Sequence, residues 1–507
     1  MLNIILHNDI VLELLSKSKN DTQHSFVRLQ KSPTRFWLPC CSLSLLETQI
    51  YPTHHRPLSI LLDKKVQWLS SLAAHWNNIP ADCPNKTQAQ MSLDAATLPG
   101  TTIIWTDKPD FTSVHPDIEW GDHEFVYSML AQYEDEPSFV DLESQQLTLR
   151  PTLEKHIFNV LKHGQYIAGA EVRTLESKLA DYVGAKYCLS VASATDALLI
   201  ALMAIDIKAG DEVITSPFNS TAVVELVTLL GAKPVFVDVE ATTYTLNPLL
   251  LSSAITQKTK AIIATNLLGQ CADFNVINKI ANQYNLPVIE DAAQSFGATY
   301  HNLKSCTLSA IGCTSFYPTQ PLGAYGEGGA CFTNDNELID MMRQLRGNGQ
   351  NKRNHHPFIS INSRLDTLQA SLLLAKLKIF PEELEKRVQI AENYNRLLGE
   401  KIKKPMIAFH NTSVYAQYTI EVNNRNEVQK KLQQRGIPTA VYYPQPIHLQ
   451  PAFASLNYGE GSFPVAETVA QHVLSLPIHP YLTKGTQTRI VNALKSLFFR
   501  VNVKGAR

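Results

Sequence analysis

An alternation of short β-rich runs with helical patterns fills the middle of the chain and limits the folds open to it. The runs are YCLSVAS (187–193), DEVITSP (211–217), KPVFVDV (233–239), KAIIATN (260–266) and LPVIEDA (286–292). Helical patterns fall between most of them, such as ATDALLIALMAI (194–205) and VINKIANQYN (276–285). Repeated β–α units predict a mostly parallel sheet covered on both faces, with ligands bound at the carboxyl ends of its strands.

Length and composition divide the chain into two modules. A chain of 507 residues exceeds what one hydrophobic core usually fills. All five tryptophans lie before residue 121, and residues 1–136 hold 10 Lys/Arg against 16 Asp/Glu. The acidic run in AQYEDEPSF (131–139) meets a proline, which is typical of a linker.

The second module is predicted to contain a large and a small domain. The segment 363–398 reads as long helix interrupted near Pro381, and a mixed segment of strand, helix and loop follows it. The predicted domains are residues 1–115, a linker at 116–138, a large domain at 139–385 and a small C-terminal α/β domain at 386–507.

The sequence also limits the cellular compartment and the classes of partner that we expect. The eight cysteines form no CxxC pair and no dense framework, which argues against a zinc site and a secreted disulfide scaffold. The N-terminus MLNIILHNDIVLELL has no basic leader, and no apolar run approaches the roughly 20 residues of a membrane-spanning helix. We expect a cytoplasmic protein with no membrane partner. The acidic first module makes nucleic acid a poor partner.

Two polar features stand at strand ends. Asp291 ends the apolar run PVIED, where a buried carboxylate needs a cationic or hydrogen-bonding partner to stay ionised. It is either a helix N-cap before AAQS or the partner of a ligand cation. SATDAL (193–198) opens a helix after a strand, so its free backbone N–H groups and the Thr195 hydroxyl suit an anion, although capped helix starts are common.

Nine segments of the second module, taken in order, resemble one protein family. They are FVDLESQQ, HGQYIAGAEV, ATDAL, GDEVITSPF, GAKPVFVDV, VIEDAAQSFGA, TSFYPTQPLGAYGEGGA, NSRLDTLQA and SLPIHPYL. Together they resemble the DegT/DnrJ/EryC1/StrS family of sugar aminotransferases over residues 139–507. The resemblance implies fold type I of the pyridoxal-phosphate enzymes, a dimer, and pyridoxal phosphate (PLP) or pyridoxamine phosphate (PMP) as cofactor.

Four segments refine this resemblance. KSCTLSAIGCTSFYP, SRLDTLQA, VYAQYTIEVNNR and LSLPIHPYL are most similar to family members that act on UDP-3-oxo-N-acetylglucosaminuronic acid in O-antigen synthesis. The substrate implied is a nucleotide sugar.

The resemblance assigns roles to individual residues. Asp291 would keep the pyridine nitrogen of the cofactor protonated, and Gln294 would lie near the ring hydroxyl. Ser220 occupies the position where an aromatic side chain usually stacks on the ring. The positions that bind the cofactor phosphate in the family are Ala194, Thr195, Ser315 and, contributed across the dimer, Asn362.

Gln320, in SFYPTQPLGAYGEGG (315–329), occupies the position of the family's Schiff-base lysine. A carboxamide nitrogen has a delocalised lone pair, so it forms no imine and is no base near neutral pH. Glutamine also lacks the titratable nitrogen of the histidine that some relatives use here for a dehydration. Lys304, the nearest lysine upstream, is about 16 residues away. We expect transamination to fail and any cofactor to bind non-covalently.

Three further departures accompany Gln320. Ala194 adds a methyl group where the family commonly has glycine beside the phosphate. Ser220, in PFNS, removes the stacking face, a loss on the order of 1 kcal/mol. Asn348, in LRGNGQ, stands where family members often carry histidine. These changes indicate relaxed or redirected chemistry, while the remaining cofactor positions allow a weak PLP or PMP site.

The first module resembles a PIN-like domain, an α/β nuclease fold that gathers acids around divalent metal. The similar segments are IILHNDIVLELL, PCCSLSLLE and LDAATLPGTTIIWTDKPDF. Clustered carboxylates hold Mg²⁺ for phosphoryl chemistry. The candidate acids are Asp9, Glu47, Asp94 and Asp107 or Asp110. Because His7 and Lys108 stand where that pattern has aspartates, we expect a degenerate domain with a structural or partner-binding role.

The sequence therefore predicts a PIN-like α/β domain joined to a PLP-dependent transferase of fold type I. Three functions remain open. One is a pseudoenzyme, either a homodimer or a heterodimer with an active relative to which it lends Asn362. Another is a residually active PLP or PMP enzyme on a 3-oxo nucleotide sugar. The third is a metal-dependent nuclease.

Overall fold

The structure is a computed structural model. It describes residues 137–400 and 402–498 and, before them, the backbone of five strands. The chain divides into two units, residues 1–136 and residues 137–507. Within the described residues of the second unit, no helix is long and apolar enough to cross a membrane.

The five strands described in the first unit form a parallel sheet. Its strands are β1 (Leu2–Leu6), β2 (Arg35–Leu38), β3 (Val66–Trp68), β4 (Thr101–Trp105) and β5 (Ile118–Gly121). They lie in the order β3-β2-β1-β4-β5, and every neighbouring pair is parallel. The candidate metal-binding acids Asp9, Glu47, Asp94, Asp107 and Asp110 lie outside the described residues, so their role stays a prediction.

The second unit is built on a sheet of seven strands. The strands of this unit begin with β6 (Tyr187–Val191), β7 (Glu212–Thr215), β8 (Lys233–Phe236), β9 (Thr259–Thr265) and β10 (Val288–Asp291). Next come the short hairpin β11 (Thr299–Tyr300) and β12 (Leu303–Lys304), then β13 (Ile311–Ser315) and β14 (Gly329–Thr333). The sheet order is β6-β14-β13-β10-β9-β7-β8, and only β14 is antiparallel to its neighbours. The predicted mostly parallel sheet and its five predicted strands are confirmed.

Helices of the large domain cover both faces of this sheet, and further helices lie in the C-terminal part. The first six are α1 (Leu142–His163), α2 (Ala170–Val183), α3 (Ala194–Ala204), α4 (Thr221–Leu229), α5 (Leu251–Ala254) and α6 (Phe274–Gln283). The last six are α7 (Asn336–Arg346), α8 (Thr367–Leu377), α9 (Phe380–Leu398), α10 (Arg425–Gln433), α11 (Pro464–His472) and α12 (Lys484–Phe498). Strand β6 shows the two-sided burial, since Leu189 packs in the core of α3, α4 and α7 while Cys188 packs in the core of α2 and α8.

Local chemistry sets the helix boundaries. The Ser193 hydroxyl accepts from the Asp196 N–H (3.0 Å) and begins α3, and Asp273 caps α6 in the same way. The predicted interruption near Pro381 is confirmed, because α8 ends at Leu377 and Pro381 lies in the first turn of α9. A proline there loses no helical hydrogen bond.

The C-terminal part forms its own small α/β layer. Strands β15 (Tyr418–Glu421) and β16 (Val473–Leu476) pair antiparallel. Helices α9, α10 and α12 pack on them around a core that includes Tyr394, Tyr418 and Leu474. Phe380, at the start of α9, packs in the core of α2 and α8, so this layer is joined to the large domain.

Candidate active site

The predicted site residues gather along the edge where the parallel strands of the large sheet end. Thr265 ends β9, Asp291 ends β10 and Ser315 ends β13. The strand register places Asp291 directly beside Thr265, and places Ser315 opposite Gly329 at the start of β14. This is the edge at which open α/β sheets bind ligands.

Asp291 is a buried carboxylate held by hydrogen bonds. The Thr265 hydroxyl donates to its Oδ2 (3.1 Å) and the Ala293 N–H donates to its Oδ1 (3.2 Å). Burial raises the pKa of Asp291, and these bonds oppose that rise. The chain forms turns over 293–297, so the interpretation as a helix N-cap is wrong. A cationic N–H donor from a ligand would stabilise the ionised form further.

The carboxamide of Gln294 is fixed at both ends. Its Oε1 accepts from the Leu268 N–H (2.8 Å), and its Nε2 donates to the Tyr443 hydroxyl (3.1 Å). The Tyr443 ring stands edge-on to Phe218, with ring centroids 6.0 Å apart. Burial and the nearby Asp291 charge raise the pKa of Tyr443, so it remains a neutral phenol.

The beginning of α3 supplies backbone N–H groups at the same edge. Ala194 and Thr195 are its first two residues, and Thr195 is exposed. Gly329 lies against this turn so closely that a Cβ would stand 2.5 Å from the Ser193 carbonyl oxygen and 2.8 Å from the Ala194 nitrogen. The Ser315 hydroxyl accepts from the Tyr317 N–H (3.2 Å) and can still donate one bond.

Gln320 lies in the turn that follows β13. Its N–H donates to the Tyr317 carbonyl (2.9 Å), and the Ala324 N–H closes the loop on the Phe316 carbonyl (2.7 Å). Its Oε1 is buried and accepts no hydrogen bond from any described residue. A buried acceptor without a donor costs about 1–3 kcal/mol. The geometry is therefore suited to a ligand that brings a donor.

The remaining predicted residues occupy the rim. Ser220 caps α4, its hydroxyl accepting from the Ala222 N–H at 3.5 Å. Asn362 is exposed, and its neighbour Ser363 accepts from the Ala192 N–H (3.1 Å) just before α3 begins. Asn348 has a left-handed backbone (φ 64°), and its carbonyl lies 2.9 Å from a ring nitrogen of His356.

Comparison of the sequence with known protein families identifies the family to which the chain is similar. Residues 132–495 match the model of the DegT/DnrJ/EryC1/StrS aminotransferase family. The chain belongs to this family. The predicted resemblance and fold type I for the second module are thereby confirmed, whereas nothing found establishes a PIN-like first module.

Individual relatives extend the family match. The chain is 52% identical over 357 residues to the UDP-2-acetamido-2-deoxy-3-oxo-D-glucuronate aminotransferase of Pseudomonas aeruginosa, covering 70% of this chain and 99% of that protein. A DegT/DnrJ/EryC1/StrS aminotransferase from Brucella abortus superposes with a TM-score of 0.69 at 40% identity, over 71% of this chain and 99% of that one. NtdA from Bacillus subtilis, solved with bound cofactor PMP, superposes with a TM-score of 0.65 at 29% identity, over 69% and 82% of the two chains.

Aminotransferases of this family use PLP or PMP. Several features of the site fit such a group: a buried carboxylate for the ring nitrogen, a helix start and Ser315 for the phosphate, and an orphaned acceptor at Gln320. A second orphan, the Thr215 hydroxyl, lies at the end of β7 on the same edge. Covalent attachment through residue 320 does not fit, because a glutamine side chain has no amine. Among the described residues, no cluster of His, Cys, Asp or Glu could hold a metal.

Sequence reasoning missed three residues of this site. Asn219 Nδ2 donates to the Thr265 hydroxyl oxygen (2.5 Å), which leaves the Thr265 proton for Asp291. Thr265 is the last residue of the apolar strand β9, and Asn219 follows the end of β7 by four residues, a pattern that could have found them. Tyr443 has no such local pattern, since it reaches Gln294 from the C-terminal part of the chain.

Proposed function

We propose that residues 137–498 form a nucleotide-sugar aminotransferase homologue that binds PLP or PMP without a covalent bond and has lost ordinary transamination. Gln320 carries this proposal, because it stands in the turn after β13 where the family has its Schiff-base lysine. A carboxamide neither bonds to the cofactor aldehyde nor moves the proton that transamination requires.

The chain's own residues would hold the cofactor. When bound, PLP or PMP supplies an electron sink, provided that its ring nitrogen stays protonated. Asp291, whose charged form is stabilised by hydrogen bonds from the Thr265 hydroxyl and the Ala293 N–H, would accept from that nitrogen. Gln294 would lie at the ring edge, and the start of α3 with Ser315 would bind the phosphate.

The substrate class we propose is a nucleotide sugar with a 3-oxo group. The Pseudomonas aeruginosa relative, whose name gives such a substrate, is matched over 99% of its length at 52% identity. A second relative, the UDP-N-acetyl-3-dehydro-alpha-D-glucosamine 3-aminotransferase of Acidithiobacillus ferrooxidans, is 38% identical. Both names support a 3-oxo nucleotide sugar as substrate, and we propose a place in surface-polysaccharide synthesis, as the family resemblance implies.

We further propose that the protein acts as a pseudoenzyme subunit in a homodimer or in a heterodimer with an active relative. Asn362 is exposed, so its side chain is available to contact the site of a partner subunit. In a heterodimer it would donate to the phosphate of cofactor bound by the active partner. Co-expression with such a relative should yield heterodimers, and Asn362→Ala should weaken cofactor binding in the partner.

Borohydride reduction tests the loss of covalent chemistry. Wild type and Gln320→Lys are mixed with PLP, and their absorbance is recorded before and after borohydride. Wild type should give no reducible adduct, whereas the lysine variant should give one. If wild type itself is labelled, another lysine has taken the role, and peptide mapping of wild type against Lys304→Met identifies it. Glutamate-dependent turnover on the 3-oxo sugar would then favour a residually active enzyme.

The nuclease hypothesis for the first unit has a separate test. Purified protein is incubated with RNA and Mg²⁺, and cleavage is compared with that of Asp9→Asn and Glu47→Gln. We expect no cleavage that depends on either residue. Cleavage lost in both variants would establish the nuclease.

A further inference from the structure

The side-chain Oε1 of Gln320 is buried and accepts no hydrogen bond from any described residue, while the backbone of its loop is held in place. The backbone N–H of Gln320 is held by Tyr317, and the loop after it is closed by the hydrogen bond from Ala324 to Phe316. Lys376 Nζ donates to the Gly323 carbonyl (2.7 Å) and ties the same loop to α8. The orphaned Oε1 is thus presented by a loop that is anchored at three points.

A complementary ligand must bring an N–H or O–H group to this oxygen. PLP and PMP share the ring and the phosphate and differ at one carbon. PLP carries an aldehyde there, whose oxygen only accepts hydrogen bonds. PMP carries an amine, which is protonated near neutral pH and donates hydrogen bonds with a positive charge. Hydrogen bonds to a charged donor are roughly twice as strong as neutral ones.

We propose that Gln320 makes this site selective for PMP, with Oε1 accepting a hydrogen bond from the ammonium group of the cofactor. The inference rests on the proposed function, since it requires a site that binds the cofactor non-covalently. In family members with lysine, a covalent bond favours the aldehyde form. The exchange of lysine for glutamine removes that bond and replaces a cation by an acceptor, so both effects shift the preference toward the amine.

The aldehyde form gains less from the same residue. To meet an aldehyde oxygen, the Gln320 carboxamide must turn its Nε2 inward, and the bond then formed is between neutral groups. The protein would therefore bind the cofactor as PMP. It would neither convert PLP to PMP nor convert PMP back to PLP by transamination.

Binding measurements separate the ammonium from the rest of the cofactor. Isothermal titration at neutral pH is carried out with PMP and with pyridoxine phosphate, which has the same ring and phosphate but a neutral hydroxyl in place of the ammonium. Wild type should bind PMP about tenfold more tightly than pyridoxine phosphate. Gln320→Leu, which keeps the volume but removes the acceptor, should abolish this ratio. Gln320→Glu, which presents a charged acceptor, should enlarge it.

The outcomes distinguish a failure of the PMP selectivity from a failure of the proposed function. Equal affinity of wild type for both ligands, or a ratio unchanged in Gln320→Leu, overturns the selectivity while leaving a non-covalent site intact. Absence of binding of either ligand to both wild type and Gln320→Lys overturns the proposed function itself. Thermal unfolding of each variant verifies that the loop change has not unfolded the protein.

Discussion

The Thr265 hydroxyl donates to the Asp291 carboxylate over 3.1 Å, between the ends of neighbouring strands β9 and β10. Asn219 Nδ2 donates to the same hydroxyl oxygen, so the hydroxyl proton of Thr265 is directed toward Asp291. This relay of hydrogen bonds stabilises the charged form of a carboxylate whose pKa burial raises. A stabilised carboxylate at this position is what the proposed contact with a cationic ring nitrogen requires.

Thr265→Val should weaken the site through this relay. The substitution keeps the shape but removes the donor, so the pKa of Asp291 should rise further and PMP affinity should fall severalfold. The free energy of unfolding should fall by about 1–2 kcal/mol. Thr333→Val is the matched control, because Thr333 donates to the Ala310 carbonyl (2.8 Å) at the other end of the sheet. Equal losses of affinity in both variants would contradict the relay.

Tyr443→Phe should remove one of the two hydrogen bonds that hold the Gln294 carboxamide. The change deletes the acceptor of Gln294 Nε2 while keeping the ring against Phe218. We expect a severalfold lower affinity for PMP in titration calorimetry, with unfolding free energy lower by about 1 kcal/mol. Tyr458→Phe serves as control, since that ring packs on Phe236 at 5.4 Å and removal of its hydroxyl should leave affinity unchanged.

Glu290 is a fully buried carboxylate next to Asp291. It accepts from the backbone N–H groups of Cys306 (2.8 Å) and Leu308 (3.0 Å) and from Asn266 Nδ2 (2.8 Å). Burial raises its pKa to about 6 from the ordinary value of 4.5. The folded protein therefore binds more protons than the unfolded chain between these two pH values.

Its contribution to stability is full below pH 4.5 and decreases as pH rises through 6, by about 2 kcal/mol in total. Glu290→Gln should remove this pH dependence. Denaturant unfolding of wild type and variant at several pH values measures the difference in slope. The exposed Glu385→Gln should keep the wild-type slope, and a wild-type slope in Glu290→Gln would contradict the assignment.

Lys376 is a buried lysine whose amine donates to the Gly323 carbonyl (2.7 Å) and lies 4.0 Å from the centre of the Tyr325 ring. Burial lowers its pKa from 10.5 to about 8. Between these values the unfolded chain binds more protons, so stability should rise with pH by up to about 3 kcal/mol. Lys376→Met should lose this rise in unfolding experiments, whereas the exposed Lys378→Met should keep it.

Gly329→Ala should damage the phosphate end of the site. The added methyl group would stand 2.5 Å from the Ser193 carbonyl oxygen, so β14 or the start of α3 must shift. Affinity for PMP should fall at least tenfold, while affinity for the phosphate-free pyridoxamine should change little. Gly459→Ala, where a Cβ meets no atom within 4 Å, should leave both affinities unchanged.

The elements that the sequence predicted well are those with strong local patterns. The five parallel strands and helices α3 and α6 appear where short apolar runs and capped periodic segments indicated them. The antiparallel β14 between β6 and β13 was not predicted, and its pairing with β6 joins residues far apart in the chain. The helix expected after Asp291 is a series of turns instead.

The sequence by itself determined that residue 320 has no amine and that polar residues end the apolar strands, since both follow from residue identity and local spacing. Only the tertiary structure decided that Thr265 and Asn219 lie beside Asp291 and that Tyr443 reaches Gln294. It also decided that the Gln320 oxygen is buried with no donor among the described residues. These relations depend on strand register and on packing between distant segments. Local propensity contains no information about either.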